Sequence, residues 1–211
     1  MHKEDWEKCW RFTNIIILLF KPFEILVRRS IRKGMERLLI NLHINNPNIL
    51  ELGAGTGHDS AWLLKKFGGK ATLIDNCDYI VSKSNKYFSR KKLNVTYLKS
   101  NIEDVKFKNR YDLVFSIGLI EHYYNKELYK IFKKHMEASK KNGYVMVFVP
   151  NRTSIYKFYR KLLTSLRLWM WDEKPFTIKD LKNLEKSTNS ALLRTTQVIC
   201  GMWIGTLYKK I

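Results

Sequence analysis

Glu51-Leu52-Gly53-Ala54-Gly55-Thr56-Gly57 is the stretch that decides how this chain folds. The run Asn48-Ile49-Leu50 leads into the carboxylate, and glycines then follow at alternate positions. A helical pattern opens soon after, from about Ser60 to Phe67. Together they predict a strand that turns tightly into a helix while a ligand lies against the turn. Glycine tolerates positive φ and lets a ligand approach where a Cβ would clash. The spacing narrows the ligand. A dinucleotide fingerprint, Gly-x-Gly-x-x-Gly, read from Gly53 needs glycine where the chain has His58. Read from Gly55 it needs glycine where the chain has Ser60. The run is instead Glu-x-Gly-x-Gly-x-Gly.

The stretches that follow extend the pattern. Lys70-Ala71-Thr72-Leu73-Ile74-Asp75 is a short apolar, β-branched run ending in a carboxylate eighteen residues after Gly57. A second parallel strand ending in an acid at that distance can accept both ribose hydroxyls of a nucleoside. Val95-Thr96-Tyr97-Leu98-Lys99 predicts a third strand, followed by Ser100-Asn101-Ile102. Arg110-Tyr111-Asp112-Leu113-Val114-Phe115-Ser116 predicts a fourth, and Gly143 to Asn151 a fifth. In this order the stretches resemble the class I S-adenosylmethionine (SAM)-dependent methyltransferases, with Glu51–Gly57 similar to their motif I. The resemblance spans about residues 45 to 151.

That resemblance implies an α/β fold: a Rossmann-like, seven-stranded, mostly parallel sheet with flanking helices. A C-terminal antiparallel hairpin and an N-terminal helical cap complete it. The expected division is a cap over 1–40 and a SAM-binding domain over 41–211. It also implies roles for residues. Glu51 anchors the methionine end of SAM, and the backbone of Gly53, Ala54, Gly55, Thr56 and Gly57 wraps it. Asp75, with Asn76 beside it, takes the ribose. Asn101 and the Ile102 amide take the adenine, and Ser116 and Ile117 close the cleft floor. Asn101 stands where the family more often has Asp, which keeps an acceptor and loses a charge.

Composition bounds the rest. The 211 residues suit one domain with a real core, and 45% hydrophobic content excludes general disorder. Cys9, Cys77 and Cys200 lie far apart without metal spacing, which fits a reducing, cytoplasmic setting. The net charge of +20 has two readings. Scattered lysines, as over 83–92 and 126–141, fit solvated helix faces. The clusters Arg28, Arg29, Arg32, Lys33, Arg37 and Arg152, Lys157, Arg160, Lys161, Arg167 also suit contact with nucleic acid or an anionic membrane.

The N-terminal run Ile15-Ile16-Ile17-Leu18-Leu19-Phe20 is interrupted by Lys21, Pro22 and Glu24. It is shorter than the roughly 20 apolar residues of a spanning helix. Glu4, Asp5 and Glu7 do not suit a signal peptide. Two readings remain. Residues 4 to 20 form a helix capping the cleft, with Trp6, Trp10 and Phe12 toward the substrate, or residues 10 to 33 lie on a membrane surface.

The acceptor is less legible. Ser116-Ile117-Gly118-Leu119-Ile120-Glu121-His122 carries neither the Asn/Asp-Pro-Pro-aromatic run of base-amine methylation nor a cysteine nucleophile. Glu121-His122 resembles the small-molecule branch, including quinone-biosynthesis O-methyltransferases. Some relatives build a metal site from Glu-x-x-Glu-His; Gly118 replaces the first glutamate here, so no metal is expected. His122 is either a general base for a hydroxyl acceptor or a packed residue at a helix start. Residues 152–176 carry Tyr156, Phe158, Tyr159, Trp169, Met170, Trp171 and Phe176 among basic residues. They would clasp a planar or anionic acceptor, or form an amphipathic helix with its aromatic face on the sheet. Pro175 to Leu181 predicts a helix start with Thr177 at the N-cap and Asp180 three residues on. Runs 191–199 and 203–209 around Gly201 predict the closing hairpin. The function expected is methyl transfer from SAM to oxygen or nitrogen of a small molecule. The alternatives are an RNA or protein methyltransferase using the basic clusters, and a SAM-binding or membrane-surface module without turnover.

Overall fold

The structure is a computed structural model that describes residues 21–169 and 172–211. Seven strands form one sheet: β1 (Asn48–Leu52), β2 (Lys70–Asp75), β3 (Val95–Lys99), β4 (Tyr111–Ile117), β5 (Ser139–Pro150), β6 (Ser190–Val198) and β7 (Trp203–Lys210). Their order is β3-β2-β1-β4-β5-β7-β6. The first five run parallel, and β7 is antiparallel to both β5 and β6. The expected hairpin therefore closes the sheet by inserting its second strand beside β5. Its turn places Ile199, Cys200 and Gly201 at positive φ.

Helices cover both faces. The central strands are buried on both sides, which is why they read as near-continuous apolar runs rather than alternating ones. Leu50, Leu52, Val114 and Val147 face Ile131 and Phe132 of the helix Asn125–Ala138 (α4). Ile49, Leu113, Phe115 and Phe148 face the other layer, made by α1 (Lys21–Leu39), α2 (His58–Phe67) and α3 (Asp78–Lys91). Burying a side chain such as Phe115 contributes roughly 1.5–3 kcal/mol, so the two layers carry most of the fold's stability.

Of the expected 1–40 cap, residues 1–20 lie outside the described residues, and with them Cys9, Trp6, Trp10, Phe12 and the run Ile15–Phe20. Residues 21–39 form α1, whose Ile31, Met35 and Leu38 share a core with Phe148, Val198 and Leu207. Arg194 of β6 donates to the Leu38 carbonyl at 2.9 Å, and the Ile199 amide donates to Ser30 Oγ at 2.8 Å. This helix is thus a layer of the sheet's own packing. Among the described residues no helix is long and apolar enough to cross a membrane.

Two flanking elements complete the frame. Residues Ser154–Ser165 form α5, N-capped by Thr153, and Ile178–Asn183 form α6. The predicted capping box is present: Thr177 Oγ1 accepts from the Asp180 amide, and the Asp180 side chain accepts from the Thr177 amide at 2.9 Å. α5 departs from the expectation of a buried aromatic face. Only Tyr156 is buried, while Phe158 is 71% exposed and Ile155 and Leu162 are also exposed. Trp169 stacks edge-on against Tyr156 and Tyr159, and Met170 and Trp171 lie outside the described residues.

Candidate functional site

The sheet's strand order reverses between β1 and β4, and ligands of open α/β sheets bind outside the carboxyl ends of strands at such a point. The glycine turn leaves β1 there. Gly53, Gly55 and Gly57 have φ of 65°, 51° and 64°, a region that side-chain-bearing L-residues rarely adopt. The two outer glycines are also hemmed in. A Cβ on Gly53 would meet Leu119 Cδ1 at 2.9 Å, and one on Gly57 would strike Leu73 and meet Phe88 Cζ at 2.8 Å. The turn is held by the Ala54 amide on the Ile74 carbonyl at 2.9 Å and the Gly57 amide on the Ala54 carbonyl at 2.8 Å.

Carboxylates frame this turn. Glu51 is buried and accepts from Ser60 Oγ at 2.6 Å. Burial pushes its carboxyl well up, the negative Asp59 adds to this, and the Ser60 hydrogen bond opposes it. Asp59 in turn receives Arg32 Nε at 3.0 Å and Arg28 at 3.5 Å from α1. Asp75, at the tip of β2, accepts from the Gly55 amide at 2.9 Å and the Cys77 amide at 3.0 Å. Burial raises its pKa while these backbone donors oppose the rise. The Asn76 amide adds to these donors, and a carboxylate's two oxygens still keep lone-pair capacity for a further one.

Asn76 donates to Asn101 Oδ1 at 3.4 Å, and Asn101 donates to Asp104 at 3.3 Å. Asn101 precedes a 3-10 turn over Ile102–Asp104, in which Ile102 is buried. Tyr97, on β3, donates its hydroxyl to the Gly55 carbonyl. Its phenol pKa is raised by burial and by the nearby Asp75 and Glu51.

At the tip of β4 the two expected floor residues part. Ser116 is buried with its hydroxyl 3.0 Å from His135 Nε2, so its side chain faces α4 rather than the cleft. Ile117 lies on the opposite face with the α1–α3 layer and remains half-buried. The chain then makes a 3-10 turn over Ile120–His122. His122 Nδ1 donates to the Asp172 carbonyl at 2.5 Å, and burial lowers its pKa. Tyr124 donates to Asp172 Oδ1 at 2.7 Å, and the Lys174 amide donates to the Glu121 carbonyl at 3.0 Å. The segment after α5 is therefore laced onto this turn.

The site residues expected from the sequence thus gather as follows. Glu51, Gly53 to Gly57, Asp75, Asn76 and Asn101 meet on one rim formed by the ends of β1, β2 and β3. His122 stands apart from that rim, on the β4 side beneath residues 172–174. Tyr97, Asp172 and Glu173 escape a sequence reading; only Tyr97 carries a signal, as an aromatic in the strand beside the turn. The expectation of no metal rested on Gly118. The structure brings Glu173 to Glu121 and His122 instead, with their ligand atoms all within 4.8 Å of one another. Folding supplies a carboxylate from 52 residues along the chain, which local spacing does not reveal.

The arginine clusters are largely engaged inside the protein. Arg28 and Arg32 pair with Asp59, Arg152 bonds the Pro175 carbonyl and Asp180, and Arg160 bonds the Glu173 carbonyl. The reading that needs them as a nucleic-acid footprint loses its strongest members.

Residues 49–143 match the family described as methyltransferase domain. A ubiquinone biosynthesis O-methyltransferase of Rickettsia akari is 31% identical over 114 residues, which is 54% of this chain and 44% of that protein. The corresponding protein of Rickettsia typhi is 29% identical over 117 residues, covering 54% and 46%. The alignment therefore spans less than half the length of each of these relatives. Among solved structures, magnesium protoporphyrin IX methyltransferase from Synechocystis PCC 6803 with bound S-adenosylhomocysteine (SAH) superposes with TM-score 0.80 at 12% identity, covering 99% of this chain and 98% of that one. Burkholderia thailandensis 1,6-didemethyltoxoflavin-N1-methyltransferase superposes with TM-score 0.70 at 13% identity, covering 100% and 91%. At these identities the likeness is one of fold. The sequence match falls on the stretch that builds the glycine turn and the parallel half of the sheet, and over that stretch the chain is similar to the methyltransferase domain family.

Proposed function

We propose that this chain transfers a methyl group from SAM to an oxygen or nitrogen of a small-molecule acceptor. The observation that carries the reading is the Asp75 carboxylate, locked by the Gly55 and Cys77 amides against a left-handed glycine turn. A vicinal diol fits its remaining lone pairs, and the glycine backbone admits a ligand chain beside it. Bound SAM supplies an activated methyl on a sulfonium. Glu51 and the Gly53–Gly57 backbone would hold the methionine end, Asp75 and Asn76 the ribose, Asn101 and the Ile102 amide the adenine. Ile117 and the Ser116 backbone would close the floor. The chain's main contribution is orientation of the acceptor behind the methyl.

The relatives named as O-methyltransferases support oxygen as the acceptor atom. His122 reads better as a positioning group than as the general base, because its ring is fixed through Nδ1 to residue 172. Transfer of labelled methyl from SAM into an extract, fractionated by size and nuclease treatment, tests the reading. Label in low-mass, organic-extractable material is expected. Nuclease-sensitive, high-mass label would overturn it in favour of RNA.

A second reading concerns location. The exposed apolar residues Ile155, Phe158 and Leu162 lie on α5 with Lys157 and Lys161. This composition suits a cytoplasmic protein that touches an anionic membrane surface peripherally. Co-sedimentation with phosphatidylserine vesicles is expected, and Phe158→Glu should abolish it.

A further inference from the structure

The candidate site's rim takes the ends of β1, β2 and β3, which leaves the ends of β4 and β5 for whatever receives the methyl group. The two faces of the sheet differ there. On the α4 face, residues 172–174 are bonded to the Ile120–His122 turn and close it over. On the other face Ile117, Gly118, Ile199 and Trp203 are all half-buried, and Val27 of α1 packs on the same cluster as Ile117 and Trp203. Trp203 opens β7 opposite Pro150, the last residue of β5, so it stands at the carboxyl edge. Gly118 follows Ile117 at φ 69°. A Cβ on it would lie 3.4 Å from Trp203 Cη2 and 3.5 Å from Glu121 Oε1, ordinary contact distances. The bare face of Gly118 therefore looks onto the edge of the indole.

The turn that carries Trp203 is strained. Ile199 and Cys200 have φ of 53° and 52°, and a β-branched residue in this region is a clear outlier. Such conformations persist only where the surroundings over-determine them, and they concentrate at ligand sites. Here the surroundings act from two sides. The Ile199 amide donates to Ser30 Oγ of α1 at 2.8 Å. The Asn151 amide donates to the Met202 carbonyl at 2.7 Å, and the Asn151 side chain donates to the Gly201 carbonyl at 2.8 Å. A hairpin that only had to close would do so with less strain through Asn, Asp or Gly at these positions.

We propose that Trp203 is an acceptor-binding and specificity-determining residue. Its indole and the bare face of Gly118 form a wall on which a flat, uncharged part of the acceptor rests. Val27, Ile117, Ile199 and Trp203 carry no charge, so this wall selects by shape and apolar contact. An indole face discriminates between flat and puckered rings, because stacking adds to simple area burial only when the partner is itself aromatic. The strained turn fixes the ring beside the floor residue Ile117, which keeps the acceptor close to the methyl. That the bound molecule is a methyl acceptor rests on the function proposed above; that Trp203 holds it rests on the geometry of the turn and of Gly118.

Calorimetry on the full chain with saturating SAH supplies the test. The flat probe is 2-naphthol, and decahydro-2-naphthol presents the same skeleton puckered. The wild type should bind 2-naphthol, and more tightly than decahydro-2-naphthol. Trp203→Leu keeps apolar bulk and loses the flat face; it should weaken 2-naphthol about three- to tenfold and leave decahydro-2-naphthol within about twofold. Trp203→Phe should bring 2-naphthol back to within about twofold of wild type. SAH affinity should hold in both variants, whereas a merely structural tryptophan would lower SAH and probe affinity together. If Trp203→Leu does not fold, the indole N–H resonance that disappears in Trp203→Phe identifies Trp203, and it should move when 2-naphthol is added to the wild type. No binding of 2-naphthol, equal loss of both probes in Trp203→Leu, or an unmoved Trp203 resonance would overturn the wall. Probe binding that depends on Trp203, with no labelled product from SAM in the extract, would uphold the wall and overturn the methyl-transfer reading instead.

Discussion

Gly57→Ala separates two explanations of the glycine turn. In one, Gly57 is glycine so that a ligand can approach; in the other, it is glycine because the core leaves no room. The structure favours the second. Gly57 sits at φ 64°, and a Cβ there would strike Leu73 and meet Phe88 Cζ at 2.8 Å, both in the core beneath the turn. An L-residue in the left-handed region costs about 1–2 kcal/mol, and overpacking a tight core costs about 1–3 kcal/mol more. A loss of about 2–5 kcal/mol follows, which in a chain of this size lowers the melting temperature by roughly 5–20 °C. Gly201→Ala supplies the control. Its φ is 80°, yet a Cβ there meets only Gln197 Oε1 at 3.4 Å, so it carries the backbone cost without the crowding. Urea unfolding of both variants, with SAH affinity measured by calorimetry on the folded proteins, distinguishes the explanations. Gly57→Ala should lose about 1–3 kcal/mol more than Gly201→Ala. Equal losses, or an unaltered stability with SAH binding abolished, would refute the packing argument.

Other consequences are as direct. Arg32→Met leaves the buried Asp59 with a weaker cationic partner and should cost about 1–3 kcal/mol, between surface and buried pairs; amide exchange in α1 should quicken, and unchanged protection would count against the pairing. Tyr97→Phe removes the hydroxyl that holds the Gly55 carbonyl and should weaken SAH binding about two- to tenfold with little change in melting temperature, checked by calorimetry. His135 is fully buried and its pKa is pushed down from 6.5 to about 4, chiefly by desolvation. The folded state therefore holds this proton less tightly than the unfolded chain. Its stabilising effect is complete above about pH 6.5 and is lost as pH falls toward 4. Glu51 and Glu121, raised by burial, act in the opposite sense, so the comparison must be with a variant. The stability advantage of wild type over His135→Gln should shrink by up to about 3 kcal/mol from pH 7 to pH 4 in urea titrations, and a pH-independent difference would refute it.

Much of the candidate site's rim is legible in the chain because it is local. Glu51 to Gly57 lie in one turn, and Asp75 and Asn101 each follow a β-branched or apolar run that ends at the same edge of a parallel sheet. The thread of the sheet follows from those runs in order, as does the hairpin around Gly201. Local pattern misleads where a side chain's direction matters. Ser116 sits in the right strand, yet its hydroxyl turns to His135 of α4. α5 has helical aromatic spacing, yet its neighbours cover only Tyr156.

By itself, then, the sequence determined the sheet, the glycine turn and the acid-tipped edge beside it, since glycine spacing, strand-ending acids and apolar runs act within a few residues of themselves. Only the tertiary structure decided that Arg28 and Arg32 serve Asp59, that Tyr97 holds the turn from a neighbouring strand, and that Glu173 joins Glu121 and His122. Those partners lie tens of residues apart. Their meeting depends on how α1 and the segment after α5 pack against the sheet, and no spacing along the chain encodes the distance between two packed surfaces.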